Sequence, residues 1–234
     1  MQMNTQAFAR NQGNSSVAIV IPVFNEAGMI AEVVTGLKGV FPNVICVDDG
    51  SVDDSGRIAS DAGAKTFFHP MNLGQGAALQ TGIEAAISMP EVKYLVTFDA
   101  DGQHSVADAM AMVKRLREGD VEVVFGSRFL DERTEIGTLK KLVLKVAVFY
   151  TNALSGVKLT DAHNGLRAFT RNVAESIELT HNGMAHATEI VNQISRGKFK
   201  YTEMPVHIVY TEYSKAKGQS LWNSVNILFD LIFR

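Results

Sequence analysis

The sequence lacks most of the features that would place it outside the ordinary globular proteins. Its one cysteine, Cys46, cannot form a disulfide within the chain, so a reducing compartment fits best. A net charge of −3 gives no general reason to bind nucleic acid. The longest apolar stretches fall short of the roughly 20 residues that a membrane-spanning helix needs. We therefore expect no nucleic-acid partner and no integral membrane segment.

Targeting signals and linkers are also lacking. Residues 1–16 have no apolar core of signal-peptide length and are rich in Asn, Gln and Ser, which is typical of a flexible N-terminal tail. No stretch rich in proline, glycine and serine divides the rest of the chain, so we expect a single domain. None of the six histidines has the spacing of a zinc-ligand pair, which argues against zinc.

Short apolar runs alternate with amphipathic segments through the first half of the chain. The runs predict strands at Val17–Val23, Val44–Val47, Lys65–Phe68, Tyr94–Phe98 and Val121–Phe125. The segments between them predict helices at Ala27–Val40, Asp53–Ala62, Gly74–Ser88 and Ser105–Glu118. This alternation predicts an α/β fold with a mostly parallel central sheet and helices on both faces. In the second half, Gly165–Thr170 and Phe199–Tyr210 predict antiparallel additions to the sheet, with a helix at Ala185–Arg196.

Two amphipathic segments carry apolar stripes. One is Thr138–Leu154, whose stripe lies beside lysines, and the other is residues 221–234, which we expect to form a C-terminal helix. Such stripes usually pack into a core or an oligomer interface, but stripes flanked by lysines also lie on membrane surfaces. Both interpretations stay open. The C-terminal stripe favours a homo-oligomer over a monomer.

The strongest chemical signal is the segment FDADGQH at residues 98–104. Asp99 and Asp101 are spaced so that, in an extended backbone, both carboxylates project from the same face. Oxygen ligands at the end of a strand suit Mg²⁺ or Mn²⁺, and Gln103 offers a further neutral oxygen. The same residue types are also typical of a simple turn after a strand.

Polar residues also follow the first, second and fifth predicted strands. They include Glu26, Asp49 and Arg128, at the ends of the sheet where ligands of α/β proteins bind. Each has a plainer interpretation, since Asp49 can cap a helix and Arg128 can pair with a surface carboxylate. A P-loop motif is absent, and Gly74–Leu79 lacks the third glycine of a dinucleotide site. A divalent ion is the remaining familiar way to neutralise the phosphates of a nucleotide.

Six motifs resemble, in their order and spacing, the family 2 inverting glycosyltransferases, which have the GT-A nucleotide-sugar-binding fold. The motifs are IPVFNE at 21–26, VDDGS at 47–51, NLGQGAALQTG at 72–82, FDADGQH at 98–104, GSR at 126–128 and DAHNGLRAF at 161–169. Within that family the sequence is most similar to the polyprenyl-phosphate sugar transferases, such as dolichol-phosphate mannosyltransferase. The resemblance implies one catalytic domain over residues 17–220.

The resemblance also implies a role for each matching residue. It implies nucleotide-sugar contacts from Pro22, Phe24, Glu26, Val47, Asp49, Asp99, Ala100, Asp101, Arg128 and Lys215. It implies Mg²⁺ or Mn²⁺ ligands at Asp99, Asp101 and Gln103, and catalytic roles for Asp101, Arg128 and Asp161. Asp161 is a candidate base or hydrogen-bond anchor, although a turn cap is an equal alternative. Leu221 stands where the family motif Gly-Glu-Ser-Lys has its lysine, a departure that leaves the acceptor contact and the sugar undefined.

The expected activity is metal-dependent, inverting transfer of a hexosyl unit from a GDP- or UDP-linked sugar to a polyprenyl phosphate. The enzyme is then expected to be cytoplasmic and peripheral at the inner face of the membrane. Two alternatives are a transferase that extends a polysaccharide chain with Asp161 as base, and a non-catalytic subunit that binds a nucleotide sugar. We expect His104 to be mainly a loop residue, and Glu189 to face either the acceptor or solvent.

Overall fold

A computed structural model describes residues 14–131, 138–183 and 185–209 of the chain. The strands are β1 Val17–Val23, β2 Asn43–Asp48, β3 Lys65–Phe68, β4 Tyr94–Thr97, β5 Val123–Ser127, β6 Arg167–Thr170 and β7 Tyr201–Pro205. The helices are α1 Ile30–Lys38, α2 Ser55–Asp61, α3 Gln75–Ile87, α4 Val106–Arg117, α5 Thr138–Ser155, α6 Arg171–Ser176 and α7 His186–Arg196. Most predicted elements are therefore present, although the short helix α6 was not predicted.

The seven strands form one sheet in the order β3-β2-β1-β4-β6-β5-β7. Strand β6 runs antiparallel to β4 and β5, and every other neighbouring pair is parallel. The predicted fold class, a mostly parallel sheet with an antiparallel addition, is confirmed. The prediction of a second antiparallel strand from Phe199–Tyr210 is wrong, because β7 pairs parallel to β5.

The path between β6 and β7 explains the direction of β7. After α6 the chain crosses to the opposite end of the sheet, where the backbone N–H of Gly76 donates to the carbonyl of Asn182. Helix α7 then returns to the starting end, where the N–H of Glu122 donates to the carbonyl of Lys200. The chain therefore enters β7 from the same end as β5. A local pattern of extended residues carries no information about this return.

Helices cover both faces of the sheet because the central strands are apolar on both faces. In β1, Ile19 and Ile21 pack in the cluster that includes α1 and α4, while Ala18 and Val20 pack in the cluster that includes α3 and α7. Side chains alternate along a strand, so a continuous apolar run is the sequence signature of a strand that is buried on both sides. This pattern made β1 predictable from the sequence alone.

Helix α4 begins directly after the FDADGQH segment and fixes the C-terminal end of that segment. Its N-cap is Ser105, whose hydroxyl accepts a hydrogen bond from the N–H of Ala107 at 3.1 Å. Asp108 lies in the first turn, and three basic residues lie in the last turn, which matches the helix dipole. The loop of residues 98–105 is thus fixed between the buried strand β4 and a well-capped helix.

Helix α5 has apolar residues on two sides. Leu144, Ala147 and Val148 are buried, whereas Val146 and Phe149 are exposed on the outer face. Within the described ranges no helix combines the length and apolarity needed to cross a membrane. The predicted C-terminal helix at residues 221–234 lies outside the described residues, as does most of the predicted N-terminal tail.

Candidate functional site

The loops after β1 and β2 are tied together at the C-terminal edge of the sheet. The N–H of Asn25 donates to the hydroxyl of Ser51 at 2.9 Å, and the N–H of Glu26 donates to the hydroxyl of Ser55 at 2.7 Å. Asn25 has a φ of 56°, a left-handed conformation that asparagine tolerates, and this turns the chain back across the edge. These contacts place Glu26 close enough to Asp101 to act on its pKa.

Asp49 is buried and organises the loop of residues 69–74. Its Oδ1 accepts hydrogen bonds from the N–H of Leu73 at 2.9 Å and contacts His69 Nδ1 at 2.7 Å, while its Oδ2 accepts from the N–H of Gly74 at 2.7 Å. Asp49 bonds to Leu73 and Gly74 and not to the first turn of α2, so the interpretation that it caps the following helix is wrong. Its nucleotide contact stays a prediction.

Asp99 and Asp101 lie in the loop beyond β4, where residues 100 and 101 form a turn rather than the extended backbone that the prediction assumed. Burial, the charge of Asp99 and the charge of Glu26 raise the pKa of Asp101 to about 6. This raised pKa reflects the free-energy cost of bringing carboxylates together, a cost that a cation would relieve. The N–H of Gln103 donates to Asp101 Oδ1 at 3.1 Å, and the Gln103 side chain is buried. Gln103 as a metal ligand therefore stays a prediction.

The donor set fits a divalent ion that is shared with a substrate. In the part of the chain that the structure describes, no group of three or more His, Cys, Asp or Glu residues could hold a metal on its own. Mg²⁺ and Mn²⁺ sites in phosphate-transferring proteins commonly use one or two carboxylates, and substrate phosphates and water complete the coordination. Asp99 and Asp101 match that arrangement.

His104 is a site residue that sequence reasoning missed. Its Nε2 contacts Asp99 Oδ2 at 2.8 Å, and its ring is buried edge-to-face against Phe98, with 5.4 Å between the ring centroids. His104 lies in a loop, as expected, but its burial and its contact with Asp99 were not predicted. Burial acts to raise the pKa of Asp99, but His104, Arg167 and His186 together outweigh it, so the pKa lies below its ordinary value.

Arg128 and Asp161 form a buried ion pair. Arg128 Nε donates to Asp161 Oδ2 at 2.6 Å, its NH2 group donates to Oδ1 at 3.3 Å, and its backbone N–H donates to Oδ2 at 3.2 Å. Asp161 is 1% exposed and the Arg128 side chain 12% exposed, so Arg128 does not pair with a surface carboxylate. Both oxygens of Asp161 are engaged by one arginine.

Glu203 on β7 fixes the turn that carries Asp161. Its carboxylate accepts hydrogen bonds from the N–H of Thr160 at 2.8 Å and from the N–H of Asp161 at 3.1 Å. The hydroxyls of Ser127 and Thr160 lie 2.7 Å apart, which links the turn to the end of β5. Nothing local in the sequence marks Glu203, because it acts on a turn 42 residues away.

Arg167 is a second buried arginine that the sequence analysis did not single out. It lies on β6 and is 1% exposed, and its NH2 group donates to the carbonyl of Ala162 at 3.3 Å. Desolvation lowers the pKa of its guanidinium to about 10, although Asp99 and Asp161 act in the opposite direction. The sequence did contain a signal for this buried arginine, because Arg167 is a charged residue inside the apolar segment LRAF at residues 166–169.

The other predicted site residues are placed as follows. Phe24 and Glu26 lie in the loop after β1. Pro22 is partly exposed near the C-terminal end of β1. Val47 is completely buried and packs toward Gly82 of α3, and its nucleotide contact stays a prediction. Ala100 is buried beneath the loop, and Lys215 lies outside the described residues.

The Glu189 side chain is only 12% exposed, so the expectation that it faces solvent is wrong. Its carboxylate accepts hydrogen bonds from the N–H of Thr180 at 3.1 Å and from the N–H of His181 at 3.0 Å. A contact with the acceptor stays a prediction. Glu189 fixes the segment that leads from α6 to α7.

Acid is expected to destabilise the protein through His186. Burial lowers the pKa of His186 from 6.5 to about 4, because the charged imidazole loses its hydration. The unfolded chain therefore takes up the proton first, and the stability that neutral His186 provides above pH 6.5 is lost as the pH falls through the window to about 4.

We expect His186→Asn to reduce the loss of unfolding free energy between pH 7 and pH 4 by roughly 3 kcal/mol. Urea unfolding at several pH values measures this difference, with the exposed His181→Asn as the control. The same pH dependence in His186→Asn and the wild type would contradict the assignment.

Sequence comparisons with known proteins identify the family of this chain. The model of the family described as Glycosyl transferase family 2 matches residues 18–178. An uncharacterized protein of Methanocaldococcus jannaschii is 34% identical over 93% of this chain and 91% of its own length. The UDP-N-acetylglucosamine–dolichyl-phosphate N-acetylglucosaminyltransferase of Methanococcus voltae is 29% identical over 92% of this chain and 94% of its own length.

A solved structure with a similar fold is the glucosyl-3-phosphoglycerate synthase of Mycobacterium tuberculosis. The TM-score is 0.72 at 17% identity, over 94% of this chain and 80% of that one. The same synthase has also been crystallised with Mn²⁺ and UDP-glucose. At this identity the likeness shows the fold alone, which is the GT-A fold.

Proposed function

Because the chain belongs to glycosyl transferase family 2, we propose that it moves a hexosyl unit from a nucleotide diphosphate sugar to a polyprenyl phosphate, with inversion at the anomeric carbon. The donor is GDP- or UDP-linked, and the sugar is mannose, glucose or N-acetylglucosamine. The observation that carries the choice of acceptor is the buried pair of Arg128 and Asp161.

The acceptor argument follows from the state of Asp161. A sugar hydroxyl needs a general base within hydrogen-bonding reach of its proton. Asp161 is the expected base, but it is 1% exposed and bonded through both oxygens to Arg128. A phosphate monoester, with a second pKa of about 6, is already largely ionised at neutral pH and needs no base. The pair therefore favours a phosphate acceptor over an extending polysaccharide chain.

The donor side rests on the acidic loop. Asp99 and Asp101 would hold Mg²⁺ or Mn²⁺, whose charge stabilises a departing diphosphate. Glu26 lies beside them and Phe24 is exposed at the same edge, so these residues line the route to the nucleoside. Arg128 follows β5 at the same edge of the sheet, and we assign its guanidinium to the diphosphate.

The acceptor phosphate also needs positive charge. The N–H of Val209 donates to the carbonyl of Gln103 at 3.0 Å, so the described chain ends beside the metal loop. Lys215 and Lys217 follow within eight residues of that point. Both lie outside the described residues, and we assign them to the acceptor phosphate on their position in the sequence.

The membrane part of the proposal rests on α5. Phe149 is 76% exposed and Val146 is 49% exposed, with Lys145 exposed on the same helix. An apolar outer face with basic residues suits the surface of an anionic membrane, where a lipid phosphate acceptor would be presented. We place the enzyme in the cytoplasm, peripheral at the inner face of the membrane. The relative from Methanococcus voltae, which is named for dolichyl phosphate, supports this acceptor class.

Transfer is tested with purified protein, polyprenyl phosphate, Mn²⁺ and, in turn, GDP-mannose, UDP-glucose and UDP-N-acetylglucosamine. We expect one donor to give a lipid-linked sugar, detected by mass spectrometry, whose anomeric configuration, assigned by NMR, is opposite to that of the donor. A soluble oligosaccharide in place of the lipid is the control acceptor. The proposed activity would be refuted if product formed only with that oligosaccharide, or if neither acceptor gave a product.

A further inference from the structure

The Asp99 carboxylate is packed against the backbone of Gly165. A Cβ atom at position 165 would lie 2.3 Å from Asp99 Oδ2 and 2.4 Å from Oδ1, well below the closest approach that such atoms make. Any side chain at this position would force the carboxylate to move. The glycine of the segment 161–169 is therefore required by contact with Asp99, and its φ is not in the left-handed region.

Gly165 is itself held in place by the neighbouring strands. The hydroxyl of Thr97 on β4 donates to the carbonyl of Gly165 at 2.6 Å. On the other side, the N–H of Gly126 on β5 donates to the carbonyl of Leu166 at 3.0 Å. The backbone that Asp99 packs against is thus anchored to two strands of the sheet, and it cannot retreat without breaking these bonds.

His104 fixes the carboxylate from the other side. A carboxylate accepts hydrogen bonds, so His104 Nε2 carries the proton in its 2.8 Å contact with Asp99 Oδ2. The imidazole is 3% exposed and packed edge-to-face on Phe98. Within the described ranges, the other oxygen of Asp99, Oδ1, accepts no hydrogen bond.

We propose that Gly165 and His104 are positioning residues that clamp the Asp99 carboxylate, with Oδ2 tied to His104 and Oδ1 left to bind the divalent cation. The inference rests on the proposed function for the presence of that cation. Partners that orient a metal-binding group commonly change metal affinity by roughly 10- to 100-fold when they are mutated. The clamp therefore acts on ion binding, before any transfer of sugar.

Mn²⁺ binding tests the clamp without reference to activity. Full-length protein is titrated with Mn²⁺, alone and with UDP or GDP, and free Mn²⁺ is followed by electron paramagnetic resonance against a protein-free blank. We expect Gly165→Ala and His104→Leu to weaken Mn²⁺ binding by roughly 10- to 100-fold. His104→Gln keeps an N–H at the same distance from the backbone and is expected to recover most of the affinity.

Two further variants separate the clamp from a general loss of structure. Gly183→Ala is the matched glycine control, since a Cβ there meets no atom of the described residues within 4 Å. Thr97→Val removes only the hydroxyl that anchors Gly165, and it is expected to weaken Mn²⁺ binding less than Gly165→Ala does. Circular dichroism of the metal-free proteins identifies any variant that does not fold, and the remaining variants then decide the result.

The outcomes distinguish the clamp from the proposed function. If His104→Leu and Gly165→Ala fold and bind Mn²⁺ with wild-type affinity, the clamp is overturned and the transferase proposal is left intact. Affinity that depends on His104 and Gly165, combined with no transfer to any acceptor, would support the clamp and refute the function. If the wild type binds no Mn²⁺ under any of these conditions, both are overturned.

Discussion

Replacement of Asp101 by asparagine is expected to lower the rate of sugar transfer by about 1,000-fold, because about 4 kcal/mol of charge stabilisation in the transition state corresponds to that factor. Asparagine keeps an oxygen that can accept from the Gln103 N–H, so the loop should keep its shape. The metal-free variant is expected to be more stable than the wild type, since burial and Asp99 both disfavour the charged form of Asp101.

This combination of lost activity and gained stability is specific to a carboxylate that is kept for its function. Initial rates with the active donor and urea unfolding without metal measure the two quantities. Asp61→Asn is the matched control, because Asp61 is exposed and its pair with Arg57 is a surface pair. Transfer at the wild-type rate by Asp101→Asn would remove the acidic loop from the mechanism.

The fold was predictable where a strand or helix has a periodic local pattern. The bounds of β1 and β3 agree with the prediction, because their residue types and their turn-forming neighbours are both informative. The direction of β7 was not predictable, since it depends on where α7 returns the chain. Pairing with β5 joins Val123 to Tyr201, and no local pattern specifies a contact across that distance in sequence.

The sequence indicated the edge of the sheet at which the candidate site residues lie, but it did not indicate the residues that support them. Parallel strands bring their carboxyl ends to one edge, so Glu26, Asp101 and Arg128 could be expected to meet there. The groups that hold them could not be found in the same way. Gly165 meets Thr97 from 68 residues away, and Glu203 meets the turn at Asp161 from 42 residues away. These contacts depend on strand order, which the sequence does not show.

Removal of the Asp161 carboxylate is expected to damage the protein through Arg128. Loss of one partner of a buried ion pair costs about 3 to 5 kcal/mol, because the other charge is left without compensation. Asp161→Ala is therefore expected to lower the unfolding free energy by about 3 kcal/mol. It should also reduce transfer, since Arg128 loses the partner that fixes its guanidinium.

A double-mutant cycle separates this holding role from base catalysis. If Asp161 acts by holding Arg128, the double variant with Arg128→Ala is expected to be no less stable than the worse single variant, with a coupling free energy of about 2 kcal/mol in urea unfolding. Asp161→Asn, which keeps an acceptor for Arg128 Nε, should retain more transfer than Asp161→Ala. A base would behave differently in the transfer assay, because asparagine would then be as inactive as alanine even though the stability coupling to Arg128 is kept. That pattern would reassign the acceptor to a hydroxyl, because only a hydroxyl needs its proton removed.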